Sequence, residues 1–295
     1  MMTRMSRNHY DVVVVGARCA GASTAMLLAR SGHDVLVLDR SALPSDTVST
    51  HAIARGGVVQ LHRWGLLDDV LATGAPAIRT VSFDAPGEEH VVRTVKYSAG
   101  VDHLLAPRRY ILDDILLGAA REAGAEVRTE VTVTAVATDE KGRVRGVHVR
   151  NEHGQPEVIT ARFVIGADGV RSRTARAVGS PVVDERPSTS ALHYLYVSGL
   201  DSHGFEFHIA DRGLAGIFRT HGGQANVWVS VPAERALRAS GARTDAFVHL
   251  VAETAPALAD RVRRAQLRTT VRSAIRLPNH VLRGAGPGWS DKQRV

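Results

Sequence analysis

The chain has 295 residues, 44% of them hydrophobic and 23% charged, which is enough for a sizeable core and excludes general disorder. A single cysteine, Cys19, excludes a disulfide framework and a thiolate zinc site. The formal net charge is +7, but its arginines are scattered and the aromatic content is only 5%, which argues against a nucleic-acid surface.

Taken in chain order, Tyr10–Val15 is a β-branched run of the kind a parallel sheet buries on both faces, and Gly16 ends it. Ala22, Ala25, Met26, Leu28 and Ala29 support a helix over Cys19–Ser31, closed by Gly32. A second buried-type strand, Asp34–Leu38, completes a βαβ unit. No apolar run reaches the roughly 18 residues that span a bilayer. The stretch from Val12 to Ala29 follows Arg4 and Arg7 as a signal peptide would, yet Arg18 and several glycines interrupt it. A cytoplasmic protein is expected.

After a polar segment, Ser41–Thr50, helices are predicted at Gly57–Trp64 and Leu66–Leu71, and strands at Thr80–Ala85 and His90–Tyr97. A strong helix follows at Arg109–Ala123. Strands are then predicted at Glu126–Thr134, Val144–Arg150 and Val158–Ile165, and a short helix at Ser172–Ala177. From about Pro181 the pattern is mostly strands, through Val227–Val231, then helices at Thr244–Glu253 and Ala257–Arg264 and a strand at Arg268–Ile275. The fold class is therefore α/β, with a second lobe built on an antiparallel sheet. The expected division is a nucleotide-binding domain over 1–180, with about 76–104 contributing to the second lobe. A substrate lobe over 181–277 and a return to the first domain over 278–295 complete it.

Gly16-Ala17-Arg18-Cys19-Ala20-Gly21 supplies the first and last glycines of a G-x-G-x-x-G turn between strand and helix. Gly16 permits the tight turn, Gly21 permits close packing, and the helix N-terminus offers N–H groups to a pyrophosphate. Arg18 replaces the middle glycine, where a guanidinium could neutralise phosphate. Asp39, followed by Arg40, ends the second strand, where a carboxylate accepts hydrogen bonds from ribose. Cys19 reads as a small loop-filling residue. No histidine pair has metal-ligand spacing, so no metal is expected.

The ordered set formed by this turn with Ser45-Asp-Thr-Val-Ser-Thr-His51, Arg109-Tyr-Ile-Leu-Asp113 and Gly166-Ala-Asp-Gly169-Val-Arg-Ser172 resembles the group A flavoprotein monooxygenases. That is the para-hydroxybenzoate hydroxylase-like family, which also includes geranylgeranyl reductases and flavin halogenases. The resemblance implies a Rossmann-like FAD-binding domain of the GR2 type, interleaved with an antiparallel-sheet substrate lobe. It implies FAD on the Gly16–Gly21 turn, with Asp39 and Arg40 alongside and Arg109 at the pyrophosphate or ribityl region, Arg108 being its solvated neighbour. Val133 would meet adenine through its backbone, Asp168 and Gly169 would lie near the pyrophosphate, and Ser49 and Thr50 would run past the flavin ring. His51 is the one side chain singled out near the chemistry. NAD(P)H as electron donor, dioxygen, and a small organic substrate follow from the same resemblance.

Within the family, Asn226-Val-Trp-Val-Ser-Val-Pro232 lacks the paired tryptophans of halogenases, which leaves hydroxylase or reductase. Trp228 reads as a core residue of the substrate lobe. In relatives a stretch like Gly284–Trp289 leads to a third FAD motif, Gly-Asp, whereas this sequence continues Ser290-Asp-Lys-Gln-Arg-Val295. Weakened FAD binding is the resulting expectation, with a catalytically silent nucleotide-binding chain as the rival. An NAD-dependent dehydrogenase is a second rival, against which the Arg109 and Asp168 motifs argue.

Overall fold

The computed structural model describes residues 8–49, 52–237 and 244–282. The chain divides into two compact units, one comprising Met1–Ser45, Leu112–Pro187 and Pro278–Val295, the other Asp46–Ile111 and Ser188–Leu277. The chain starts in the first unit with β1 (His9–Val15), α1 (Cys19–Arg30) and β2 (Val35–Leu38). It supplies the second unit with α2 (Arg55–Trp64), α3 (Leu67–Ala72), β3 (Thr80–Asp84) and β4 (Val91–Thr94). Along α4 (Arg109–Glu122) it returns to the first, for β5 (Glu126–Arg128), β6 (Thr132–Thr138), β7 (Val144–Arg150) and β8 (Pro156–Gly166). The short helix α5 (Arg173–Ala177) and β9 (Val182–Arg186) follow there. The second unit then takes β10 (Ser190–Ser198), β11 (Phe205–Ala210), β12 (Gly213–Arg219), β13 (Gln224–Pro232), α6 (Thr244–Thr254) and α7 (Pro256–Arg264). It ends with β14 (Gln266–Leu267) and β15 (Arg272–Ile275), and β16 (Asn279–Leu282) pairs with β9 in the first unit.

The first unit carries a six-stranded sheet in the order β5-β2-β1-β8-β7-β6. β1 lies parallel to β2, Val12 beside Val35 through Val15 beside Leu38, and parallel to β8 on its other side. Val13, Val14, Leu36 and Val37 are fully buried, as a central parallel strand covered on both faces requires. α1 stops where Gly32 takes φ +85°, a left-handed C′ position that glycine fills without strain.

The sequence predicts one strand over Glu126–Thr134, and here the structure differs. Glu130 has φ +60°, so the run breaks into β5, paired with β2, and β6, paired with β7, at opposite edges of the sheet. The Asp39 N–H donates to the Arg128 carbonyl at 3.1 Å and the Val131 N–H donates to the Asp39 carbonyl at 2.9 Å, which hold the turn. Uninterrupted Val and Thr alternation conceals the break, because no glycine, proline or asparagine marks it.

The second unit is an eight-stranded sheet in the order β14-β10-β13-β12-β11-β3-β4, with β15 also on β10. Only the β11–β3 pair is parallel; the strand expected at Arg268–Ile275 is shortened to β15, and β14 precedes it, both antiparallel to β10. Alternation along the strands makes two chemically different faces. Ala191, Leu195, Val227, Val229 and Ile217 pack with Phe247, Val251 and Leu258 of α6 and α7 into an aliphatic core. The opposite face is aromatic. All of 46–111 groups with this unit, more than the 76–104 assigned from sequence, because Ile53 bridges to Leu105 and Ile78 to Leu104.

A half-buried ion pair ties α7 to the sheet. Arg261 donates to both oxygens of Glu206, at 2.6 and 3.0 Å. Burial pushes the Glu206 carboxyl up, but nearby His208, at 3.6 Å, the hydrogen bonds from Arg261 and the neighbouring Ser202 outweigh it and hold the pKa at about 2. A folded-state value below the unfolded one means the stabilisation is complete above pH 4.5 or so and is lost as pH falls toward 2. The expected size is about 2 to 3 kcal/mol. In urea titrations repeated between pH 6 and pH 3, Glu206→Gln should flatten the acid loss relative to the native protein.

No helix among the described residues is long and apolar enough to cross a membrane.

Candidate cofactor and substrate sites

In the first unit the glycine turn is fixed by backbone against backbone. Gly16 has φ +104°, and a Cβ there would stand 2.4 Å from the Ala167 carbonyl oxygen. At Gly21 a Cβ would stand 1.7 Å from the Gly16 carbonyl oxygen. The Gly166–Gly169 loop therefore packs directly on the first glycine, and the first glycine on the last. α1 begins within this turn, at Cys19, with no side-chain cap and no acidic residue in its first turn. Such an N-terminus suits an anion.

Arg18, in the middle-glycine position, turns its guanidinium to other partners. It donates to Asp113 at 2.9 Å, to the Ser45 carbonyl at 2.6 Å and to the Ser45 hydroxyl at 2.8 Å. The Cys19 thiol donates to the other Asp113 oxygen at 3.1 Å. Asp113 is 2% exposed. Three separated motifs, the glycine turn, the start of Ser45–His51 and the end of Arg109–Asp113, thus meet at one buried carboxylate. The sequence quoted Asp113 inside a motif but assigned it no role; the cue available was a carboxylate on the apolar face of a helix, between Leu112 and Leu116.

Asp39 sits where predicted, at the end of β2. Its carboxylate accepts the Ala17 N–H and the Ser41 N–H, each at 2.8 Å, and each oxygen keeps a lone pair for a further donor. Ala17 is buried, while Ala20 and Arg40 are exposed. Val133 lies on the edge strand β6 opposite Val149, partly buried against the core of this unit. Asp168 caps α5: it accepts from the Ser172 hydroxyl and from the Arg173 and Thr174 N–H groups. Burial raises this carboxyl, and those three donors overcome it and lower it below the ordinary range. Gly169 is exposed at φ +84°.

In the second unit Arg109 is the first residue of α4 and half-buried. Its neighbour Arg108, read from sequence as solvated, is instead enclosed. It donates to Asp46 at 2.7 Å and its guanidinium lies 3.7 Å from the centre of the Tyr196 ring. The correction follows from the chain entering α4, which turns residue 108 onto the aromatic sheet face. His221 accepts the Arg108 N–H through Nδ1, which leaves Nε2–H to donate to Thr73 at 2.7 Å. Burial and the Arg108 charge lower the His221 pKa, favouring that neutral tautomer.

The aromatic face holds a cavity of about 140 Å³, walled by Leu192, Tyr194, Phe207, Phe218, Asn226 and Trp228. Ser49 and Ala52 complete it. Trp228 is a core residue, as expected, but also a wall of this cavity. Thr50 and His51 lie outside the described residues, as does the expected change of motif beyond Leu282.

A glycine turn that opens onto an uncapped helix, with a carboxylate closing the next strand, defines a dinucleotide-binding α/β protein. The family described as FAD binding domain matches residues 9–262, and the chain belongs to it. It is 34% identical over 176 residues, 58% of its length, to digeranylgeranylglycerophospholipid reductase 2 of Methanopyrus kandleri, covering 40% of that protein. With reductase 1 of the same organism it shares 31% identity over 234 residues, 75% of the chain and 58% of the relative. The chain therefore spans about half the length of these curated relatives. Among solved structures, the myxobacterial chondrochloren halogenase CndH superposes with a TM-score of 0.81 at 22% identity, over 94% of this chain and 65% of that one. PqsL of Pseudomonas aeruginosa, a probable FAD-dependent monooxygenase, gives 0.72 at 20% identity, over 90% and 73%.

Proposed function

We propose that the chain is an FAD-dependent oxidoreductase, and specifically an NAD(P)H-dependent flavin monooxygenase that hydroxylates a small organic substrate. The first unit fits the cofactor: the tight Gly16–Gly21 turn leads into a helix N-terminus with no side-chain cap, which suits a pyrophosphate, and Asp39 retains acceptor capacity for ribose. In this reading Arg18 acts through its clamp on Asp113 and Ser45, and Asp168 through the loop it caps. Backbone groups of both loops are then the atoms presented to the phosphates. Ser49, expected beside the flavin ring, is also a wall of the cavity. When bound, FAD supplies the electron transfer and, once reduced, the activation of dioxygen. The apolar wall of the cavity excludes water from that chemistry.

The observation that carries hydroxylation over isoprenoid reduction is the size of the cavity. About 150 Å³ of dry space holds a benzene ring, and this cavity is of that order, far short of a geranylgeranyl chain. The second reading, a geranylgeranyl reductase-like enzyme, is favoured by the names of the curated relatives. Protein incubated with FAD and desalted should keep absorbance bands at about 370 and 450 nm, and NAD(P)H added without oxygen should bleach them. Oxygen uptake on readmitting air with a phenolic substrate supports the monooxygenase. Reoxidation by an isoprenoid alkene without oxygen supports the reductase, and a colourless protein removes both.

A further inference from the structure

We propose that His221 is a positioning residue that fixes the start of α4, and with it Arg109, only while its ring is neutral. The proposal rests on the flavoprotein reading, which assigns Arg109 to FAD, and adds a pH-sensitive fastener to it.

His221 is buried in the turn between β12 and β13. Three segments far apart in the chain meet on its ring. Nδ1 faces the Arg108 N–H at 3.3 Å, and the Thr220 hydroxyl lies 3.4 Å from the same nitrogen. Nε2 lies 2.7 Å from the Thr73 hydroxyl oxygen, whose own hydrogen is spent on the Val70 carbonyl at 2.6 Å, at the end of α3. Thr73 is therefore an acceptor toward the ring, and Nε2 carries the hydrogen. The Arg108 N–H is a main-chain donor with no acceptor form, so Nδ1 must keep its lone pair. Both partners demand the same neutral tautomer.

Arg108 immediately precedes α4, and its carbonyl accepts the Ile111 N–H at 3.1 Å as the helix begins. Helices often satisfy the N–H of this residue with a Glu or Gln side chain from their own first turn. Here that turn reads Arg109-Tyr-Ile, which has neither, and the His221 ring takes the place. A proton on Nδ1 would set N–H against N–H and put a second cation beside the Arg108 guanidinium. Burial, and then the Arg108 charge, lower the ring's pKa accordingly. The Arg108 guanidinium is held by Asp46 at 2.7 Å, by the Gln224 amide oxygen at 3.2 Å and against the face of Tyr196. Arg272 stands 3.8 Å from the same Asp46 oxygen. Asp46 is thus shared by two arginines, and α3 presents to the ring only the uncharged Thr73. A protonated ring must turn away, and the entry to α4 loses its acceptor.

Dissociation constants for FAD would be measured with the full chain by quenching of flavin fluorescence between pH 7.5 and pH 5. Urea midpoints would be taken over the same range, which lies above that in which Glu206 titrates. A group that must be neutral weakens binding as pH falls, by at most about tenfold per unit for one proton. The native protein should bind FAD about threefold or more weakly at pH 5 than at pH 7.5. His221→Asn keeps an oxygen for the Arg108 N–H, loses the Thr73 bond and takes up no proton in this range. It should bind about threefold more weakly at pH 7.5 and hold that affinity into acid. His221→Leu, with no acceptor, should bind weakly at every pH; if it does not fold, the asparagine variant decides. A native affinity that ignores pH, or an acid loss that His221→Asn retains, overturns the proposal. If the native protein takes up no FAD at any pH, the flavoprotein reading falls instead and the urea midpoints judge the fastener. The native midpoint should then drop in acid relative to that of His221→Asn, and equal slopes overturn it.

Discussion

Gly21→Ala is expected to leave a protein that neither retains FAD nor folds stably. The added Cβ would lie 1.7 Å from the Gly16 carbonyl oxygen and 3.3 Å from the Ala167 Cβ. The nearer atom is backbone, held by the parallel pairing of β1 with β2 and β8, so no side chain can swing aside. The turn must open, and with it the contact between Gly16 and the Ala167 carbonyl. A loss on the order of 4 kcal/mol or more is expected, at the extreme of single substitutions. Urea denaturation gives the stability, and the flavin absorbance of desalted protein gives the binding. Gly118→Ala is the control: Gly118 lies inside α4 with nothing within 4 Å of an added Cβ, so alanine should stabilise by about 0.5 to 1 kcal/mol. If Gly21→Ala behaves like Gly118→Ala, the turn is not the rigid element described above.

Asp113→Ala should cost about 3 to 5 kcal/mol, the range for breaking a buried ion pair by removing one partner. The guanidinium of Arg18, a quarter exposed, would keep Ser45 but lose its counter-charge, and the Cys19 thiol would lose its acceptor. That exposure places the expected loss toward the lower end. The pair Arg18→Gly with Asp113→Leu removes both charges together and restores glycine to the turn. Replacing both members of a buried pair by apolar groups is far less costly than orphaning one, so the double variant should recover most of the loss. Denaturant midpoints of the native, single and double variants decide the matter. If the double variant falls as far as the sum of the singles, Arg18 and Asp113 act independently and there is no clamp.

How far the sequence foretold this arrangement depends on the range of the interactions involved. Local patterning was enough for β1, α1 and β2, since a β-branched run, a small-residue helix and a glycine stop all act within a few residues. It was enough for the places of Gly16 and Gly21 in the turn and of Asp39 just after β2 as well. It failed at Glu130, where a left-handed turn carries no turn-forming residue, and tertiary bonds to Asp39 take over that role. The same limit explains Asp113 and Arg108, whose partners lie 95 and 62 residues away in the chain.

The threading of the chain back and forth between its two units sets an order on biosynthesis. β1 has β8 as its neighbour, with His9 paired to Thr160 and Val15 to Gly166, so the first strand leaves the ribosome long before the strand that flanks it exists. Until then its valines must wait beside β2 alone. Contacts of such sequence separation slow folding and expose sticky intermediates. Expressing either unit as a contiguous fragment would sever its sheet or its core, and a chaperone that shields the nascent N-terminal strand is the kind of assistance this connectivity calls for.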